Sequence, residues 1–237
     1  MYLLKKLKIH NKEVRFKSDS RGIHTFVNSY SYLVLRKHQK IISQFDGIHC
    51  DGTLMMWFSR FFLNQKIKRV SFDMTSIAPE TFKYAIEYNK SIYFLGSTSF
   101  HINGFVKVIL ENYPDLNIVG FRNGYIKADE RHEVLESIKE LDPHIVIIGM
   151  GTPLQDKFLS DLKQEGWNGL GFTCGGFIHQ TSNGLNYYPK FINKYNLRWL
   201  YRLYDEPKLI KRFLKAYLIF PFVFFYDYFF YLKVDFK

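Results

Sequence analysis

The sequence predicts an α/β protein: a mostly parallel, Rossmann-like sheet flanked by helices, with a C-terminal helical appendage that associates with membrane. Three features point to it. Over the first 175 residues, short β-branched runs alternate with longer amphipathic stretches, the pattern of strand and helix units in a parallel sheet. The later strand candidates run into glycine turns, as strand ends facing a ligand crevice do. From about Lys190 the texture turns cationic and then aromatic.

Taken in order, the strand candidates are 22–27, 47–49, 91–95, 116–121, 144–148 and 169–173. Each is short, apolar and bounded by turn residues. The helical patterns between them cover 29–44, 53–63, 79–89, 102–111, 129–141 and 153–164, with apolar residues three and four apart. Leu95 is followed by Gly96-Ser97-Thr98, Val119 by Gly120, Ile148 by Gly149-Met150-Gly151, and Phe172 by Thr173-Cys174-Gly175-Gly176. One such turn is ordinary tight-turn chemistry. Several on one sheet edge favour a ligand that bears phosphate, held by backbone N–H groups. The chain has no GxGxxG at its first strand–helix turn and no GxxxxGK[ST], so neither a nicotinamide cofactor nor ATP hydrolysis is expected.

Composition narrows the partners. In 237 residues, 47% are apolar, enough for a packed core, and 33 Lys/Arg against 22 Asp/Glu give a net charge of +11. That charge seeks something anionic: nucleic acid, a phosphorylated substrate or an acidic membrane face. Cys50 and Cys174 form no CxxC and no metal spacing, so no disulfide framework, metal site or cofactor is expected. The opening MYLLKKLKIH lacks the apolar core and cleavage site of a signal peptide, which gives a cytoplasmic expectation.

Two regions result: an α/β domain over 1–189, which carries the crevice, and a basic, aromatic appendage over 190–237. The appendage holds Lys190, Lys194, Arg198, Arg202, Lys208, Lys211, Arg212 and Lys215 against Asp205 and Glu206, then AYLIFPFVFFYDYFFYL. Cations abutting aromatics suit a helix in an anionic membrane interface. A helix pair closing the core, or a homodimer contact, is the alternative. The apolar run is marginal for a membrane span and contains Pro221 and Asp227.

The blocks HCDGTLMMW, KRVSFDM, IVIIGMGTPLQDKF, TCGGFIHQTSNGLNYYPKF and NLRWLYRLYDEPKLIKRF, in that order, resemble the bacterial WecG/TagA/CpsF glycosyltransferases, glycosyltransferase family 26. The resemblance runs from about Thr25 to about Lys215. It implies metal-independent, inverting transfer of a sugar from a UDP-sugar to a polyprenyl-diphosphate carrier bearing a first sugar. The expected setting is the inner face of the cytoplasmic membrane, in cell-surface polysaccharide or teichoic-acid-type synthesis. It also implies an appendage that closes over the active site, and coupling of that closure to self-association.

The resemblance gives residues their expected roles. Asp51 is the general base that takes a proton from the attacking hydroxyl; from the residues alone it reads equally as a helix N-cap. Arg69 neutralises departing UDP or is a strand-edge cation. Asp73 bonds substrate or holds its turn; Ser71 stands where the family has Gly. Gly149 and Gly151 let backbone approach the ligand, Pro153 suits a first helical turn, and Gln155 points its amide into the crevice. Asp156 stands where family members carry Glu. Gly175 and Gly176 face the nucleotide, and His179 replaces a common aspartate or is a partly buried loop histidine. The stretch 186–189, NYYP, replaces Arg-Ala-Pro. Gly96, Gly124 and Tyr125 complete the substrate-binding set. Asn28 holds sugar or acceptor, or caps the helix after it, while Phe26 stands where Thr is common. Arg202 and Arg212 grip the lipid diphosphate or face solvent, and Leu209 fills a position often basic.

Two rival classes stay on the page. A basic nucleic-acid-binding protein would explain the charge, but no RNP, helix-turn-helix or KH pattern is present, and nucleic acid is not an expected partner. A non-catalytic membrane-surface protein would explain the tail alone.

Overall fold

The structure, a computed structural model, describes residues 2–10, 14, 16–63, 67–189, 192, 198–205, 207 and 210–235. Six strands, β1 (Gly22–Val27), β2 (Gly47–Cys50), β3 (Ile92–Gly96), β4 (Ile118–Arg122), β5 (Ile145–Gly149) and β6 (Leu170–Thr173), form one sheet of order β2-β1-β6-β5-β3-β4. Every pairing is parallel. The fold class is therefore the one predicted, and each strand falls on a predicted run.

The helices are α1 (Tyr2–His10), α2 (Ser29–Leu35), α3 (Gln39–Ser43), α4 (Thr53–Leu63), α5 (Ile77–Glu87), α6 (Ser99–Asn112), α7 (Arg131–Leu141), α8 (Leu154–Gln164), α9 (Phe177–Thr181), α10 (Arg198–Asp205) and α11 (Ile210–Asp235). Strand order decides their faces. The steps β1 to β2, β4 to β5 and β5 to β6 run one way along the sheet, and β2 to β3 and β3 to β4 run the other. Right-handed crossovers then put α5 and α6 opposite α2, α3, α7 and α8, while α4, at the start of the β2 to β3 connection, packs Met55 and Leu63 into the first core. The two cores agree: Leu35, Ile42, Leu135 and Phe158 share one, while Phe82, Phe105 and Phe177 share the other. Strand side chains alternate between them, Val146 and Ile148 facing the first and Ile145 and Ile147 the second.

The structure departs from the predicted elements in three places. A single helix over 29–44 was expected, but α2 and α3 are separate. They pack on different partners, α2 on α11 and α3 on α8, and one straight helix cannot serve both. Helix α1 was not foreseen, although Leu3, Leu4 and Leu7, three and four apart, are all buried in the first core. Nor was α9, only five residues long. In the appendage, α11 lays Phe220 and Phe224 into the first core beside Tyr32, each ring centroid 5.4 Å from the tyrosine's. Its other side leaves Leu218 and Phe222 exposed. One face of the tail thus closes the core, as the alternative reading had it, and the other is open.

On the α5/α6 side of β1 and β2, His24 and His49 pair through Nδ1 and Nε2 at 3.1 Å, sandwiched by Phe172 and Phe26. Burial drives both pKa values down, His24 to about 4 and His49 to about 3, with the neighbouring ring adding to the effect at His49. Asp46 opposes the shift at His24 and Lys163 reinforces it. Each ring therefore protonates in the unfolded chain, near pH 6.5, before it does in the native state. Stability present at pH 7 is lost as pH falls from about 6.5 toward 4, at up to about 1.4 kcal/mol per pH unit for each ring. Urea denaturation at pH 7 and pH 5 measures the slope, and His49→Phe is expected to flatten it. An unchanged slope in that variant would assign the acid sensitivity to other groups.

Candidate active site

Between the neighbours β1 and β6 the chain leaves the sheet's C-terminal edge toward opposite faces. Helix α2 goes to the first core and α9 to the second. Such a divergence opens a crevice at the strand ends, and a cleft of about 340 Å³ lies there. Asn28, Asp51 and Gly52, Gly151 and Thr152, and Gly175 and Gly176 line it from the turns after β1, β2, β5 and β6. Arg69 and Asp73 come from the segment before α5, whose Val70 N–H bonds the Cys50 carbonyl at 2.8 Å and so extends the edge of β2. Arg212, Phe213, Ala216 and Tyr217 of α11 supply a further wall.

Asp51 is fixed by its own N–H, which donates to the Val27 carbonyl at 2.9 Å. Helix α4 starts two residues later, at Thr53: Gly52, at φ +89°, offers its carbonyl to the Met56 N–H at 3.1 Å. The Asp51 carboxylate, 30% exposed, stands 3.6 Å from Arg69 Nε. The same guanidinium, through Nη2, lies 3.7 Å from Asp73 Oδ2 and donates to Ser71 Oγ at 3.1 Å. Ser71 in turn donates to Asp73 at 2.7 Å, and Asp73 Oδ1 accepts from the Thr75 N–H, also at 2.7 Å. Arg69 thus sits between two carboxylates, with Ser71 bracing one of them. Burial, and then the negative charge of Asp51, push the Tyr217 pKa up, which brings α11 within electrostatic reach of the carboxylate. Among the described residues, no group of three His, Cys, Asp or Glu side chains is placed to hold a metal ion.

The glycine turns divide into two kinds. A Cβ at Gly151 (φ +76°) or Gly175 (φ +56°) would meet nothing within 4 Å, so both backbones lie open. Gly96 and Gly149 instead permit backbone packing. A Cβ on Gly96 would fall 2.4 Å from the Gly149 carbonyl, and one on Gly149 would fall 2.9 Å from Cys174 Sγ. Gly124 rests against Gly96 and Met150 in the same manner.

Several expected ligand contacts sit elsewhere. Gln155 lines the cleft, but its amide is spent inside the protein: Oε1 accepts from the Gly151 and Gly175 N–H groups, both at 3.2 Å, stapling the two open turns together. Pro153 occupies the cap position of α8, not its first turn. Asp156 is fully buried beneath the sheet edge and outside the lining. Its Oδ1 accepts from Thr25 at 2.6 Å, and Thr173 donates to Thr25 at 3.0 Å. Asn28 does cap α2, accepting from the Tyr30 and Ser31 N–H groups at 3.0 Å each, while still lining the cleft. Gly96, Gly124, Gly149, exposed Tyr125 and His179, which packs edge-on to His101 at 4.2 Å, belong to the sheet edge beyond the cleft. The Arg212 guanidinium lies over the Tyr30 ring at 3.8 Å. The side chain of Arg202, and Lys190, Lys194, Lys208 and Leu209, lie outside the described residues. Tyr30, Phe213 and Tyr217 were missed: the last two come from a helix far along the chain, and Tyr30, in the first turn of α2, gains its place only from the Arg212 stacked on it.

The arrangement can accept a proton at Asp51 and neutralise an anion at Arg69, beside two turns with open backbone. Comparison with known proteins gives the family. The family model described as glycosyl transferase WecG/TagA/CpsF family matches residues 8–232. The chain belongs to the WecG/TagA/CpsF family. It is 39% identical over 211 residues to the UDP-Gal:alpha-D-GlcNAc-diphosphoundecaprenol beta-1,4-galactosyltransferase of Shigella boydii, covering 84% of this chain and 88% of that one. It is 27% identical over 180 residues, 76% of this chain and 68% of the other, to the N-acetylglucosaminyldiphosphoundecaprenol N-acetyl-beta-D-mannosaminyltransferase of Bacillus subtilis (strain 168). As a WecG/TagA/CpsF protein this chain is a glycosyltransferase.

Burial raises the Asp156 pKa, against hydrogen bonds that favour its charged form. Thr25→Val removes one of those bonds from a buried carboxylate. The expected cost is about 1–3 kcal/mol of stability, read by urea denaturation at pH 7. A variant as stable as the parent would show that this network holds nothing.

Proposed function

We propose that the enzyme transfers a hexose or N-acetylhexosamine from a UDP-sugar to an undecaprenyl-diphosphate-linked sugar by a single inverting displacement that uses no metal. The observation that carries this reading is the Asp51 carboxylate, partly exposed in the cleft 3.6 Å from Arg69. The acceptor hydroxyl attacks C1 of the donor sugar as Asp51 takes its proton, and the C1–O bond to UDP breaks on the opposite face. The negative charge left on UDP is met by Arg69, where the uncrowded backbone of the Gly151 and Gly175 turns lets the phosphates come close. The nucleoside extends along the same sheet edge toward Gly124, Tyr125 and His179. On the other wall, Arg212 takes the carrier diphosphate.

The relatives' names suggest the substrates: UDP-galactose as the first donor to try, and N-acetylglucosamine on the lipid diphosphate as acceptor. The Shigella relative's name specifies a β-1,4 linkage for the galactose it transfers. Trp57 and Phe61 on α4 and Leu218 and Phe222 on α11 are exposed apolar side chains on two helices that also line the cleft, suited to peripheral contact with the membrane that holds the acceptor.

The test is UDP release from a panel of UDP-sugars with a short-chain lipid-diphosphate N-acetylglucosamine, in EDTA. Asp51→Asn is expected to lower kcat by about 10²–10⁴-fold with donor binding intact. Activity abolished by EDTA, or an Asp51→Asn enzyme at full speed, would overturn the mechanism.

A further inference from the structure

Helix α11 runs for 26 residues, and its stretch from Ala216 to Leu232 is apolar and aromatic but for a buried aspartate. Asp227 is 2% exposed. Its carboxylate accepts from Arg36 Nε at 2.7 Å, from Arg36 Nη2 at 2.5 Å and from the Tyr32 hydroxyl at 2.8 Å. Arg36 ends α2 and Tyr32 lies one turn earlier. The catalytic reading gives this cluster no role.

Apolar packing alone cannot locate α11. Hydrophobic burial is non-directional, and the buried rings repeat along the helix: a slip of four residues, about 6 Å at 1.5 Å per residue, would put Phe220 where Phe224 now sits. A carboxylate held by three directional bonds tolerates no such slip. Buried polar pairs are best attested in that role, fixing register among interchangeable apolar contacts. Burial works against the Asp227 charge, but the bonds from Arg36 and Tyr32 outweigh it and keep the carboxyl pKa below its usual range.

The consequence reaches the cleft. Fifteen residues up the same helix, roughly 22 Å away, Arg212 stacks on Tyr30 in the first turn of α2. Phe213 and Tyr217 complete the wall facing Asp51. Helix α2 is therefore gripped at both ends by α11, by charge at one and by a cation on an aromatic ring at the other.

We propose that Asp227, Arg36 and Tyr32 form a latch that sets the register of α11 on α2 and so places Arg212, Phe213 and Tyr217 in the wall of the acceptor side. These are positioning residues, and the inference rests on the reading of the cleft as the transfer site. The latch itself is tested by a distance that needs no activity. Spin labels at Lys40→Cys and Leu218→Cys, both exposed positions, report the helix against the body by pulsed dipolar spectroscopy; the native Cys50 and Cys174 are buried. The parent is expected to give one narrow distance.

Two variants break the latch: Asp227→Asn, and the double replacement Arg36→Met with Asp227→Met. The second removes both charges, a change that buried pairs usually survive with fold and stability intact. Both are expected to shift or broaden the distance by several ångströms, about one helical turn. The KM for the lipid-linked acceptor should rise on the order of tenfold, with the donor KM unchanged. A stable double variant with the parental distance overturns the latch, as does a shifted distance with a parental acceptor KM. If the parent releases no UDP with any donor, the transfer reading fails, and the label distances still decide whether the latch sets the register.

Discussion

An all-parallel sheet must return every crossover over one of its faces, and where neighbouring strands hand the chain to opposite faces their turns diverge. β1 and β6 are such a pair, since α2 and α9 leave them for opposite cores. The gap between diverging turns cannot be filled by either. It collects the ends of four strands, and with them Asp51, Gly151 and Gly175. Two internal networks hold the gap in shape. Gln155 ties the turns after β5 and β6, and the Thr173–Thr25–Asp156 chain ties β6, β1 and α8 below them. Residues expected to touch ligand prove instead to be the frame around it.

Within that frame the charges are arranged for orientation. Arg69 and Asp51 are each roughly a third exposed and 3.6 Å apart, so water screens their attraction and the pair adds little stability. Its value lies in direction: the guanidinium, braced through Ser71 and Asp73, keeps a cation beside the carboxylate and facing the open glycine turns. A cation already in place when negative charge develops needs no reorganisation at that moment.

Much of the fold was legible because parallel strands buried on both faces read as short apolar runs, as 145–149 and 92–96 do. What was lost was decided by partners remote in sequence. The break between α2 and α3 depends on α11 and α8, and the leucines of α1 have meaning only against the first core. Of the candidate site, the meeting of Asp51, Arg69, Gly151 and Gly175 in one cleft could be read from their places at strand ends and turns. The sequence was misleading at Asp156 and Gln155, because a polar residue after a strand can face ligand or brace the turns, and only three-dimensional contacts separate the two. Asp227 was visible as an oddity in an aromatic tail; its reason, Arg36, lies 191 residues away.

The central claim is that the cleft between β1 and β6 is where sugar changes carriers, with Asp51 poised on the acceptor and Arg69 on the nucleotide. A crystal structure of the enzyme with UDP and a lipid-diphosphate N-acetylglucosamine analogue tests it most directly. The account predicts the UDP phosphates against the Gly151 and Gly175 turns and Arg69, with an acceptor hydroxyl within hydrogen-bonding distance of Asp51. Phosphates bound away from this edge, or an Asp51 carboxylate turned from the acceptor into the first turn of α4, would contradict it.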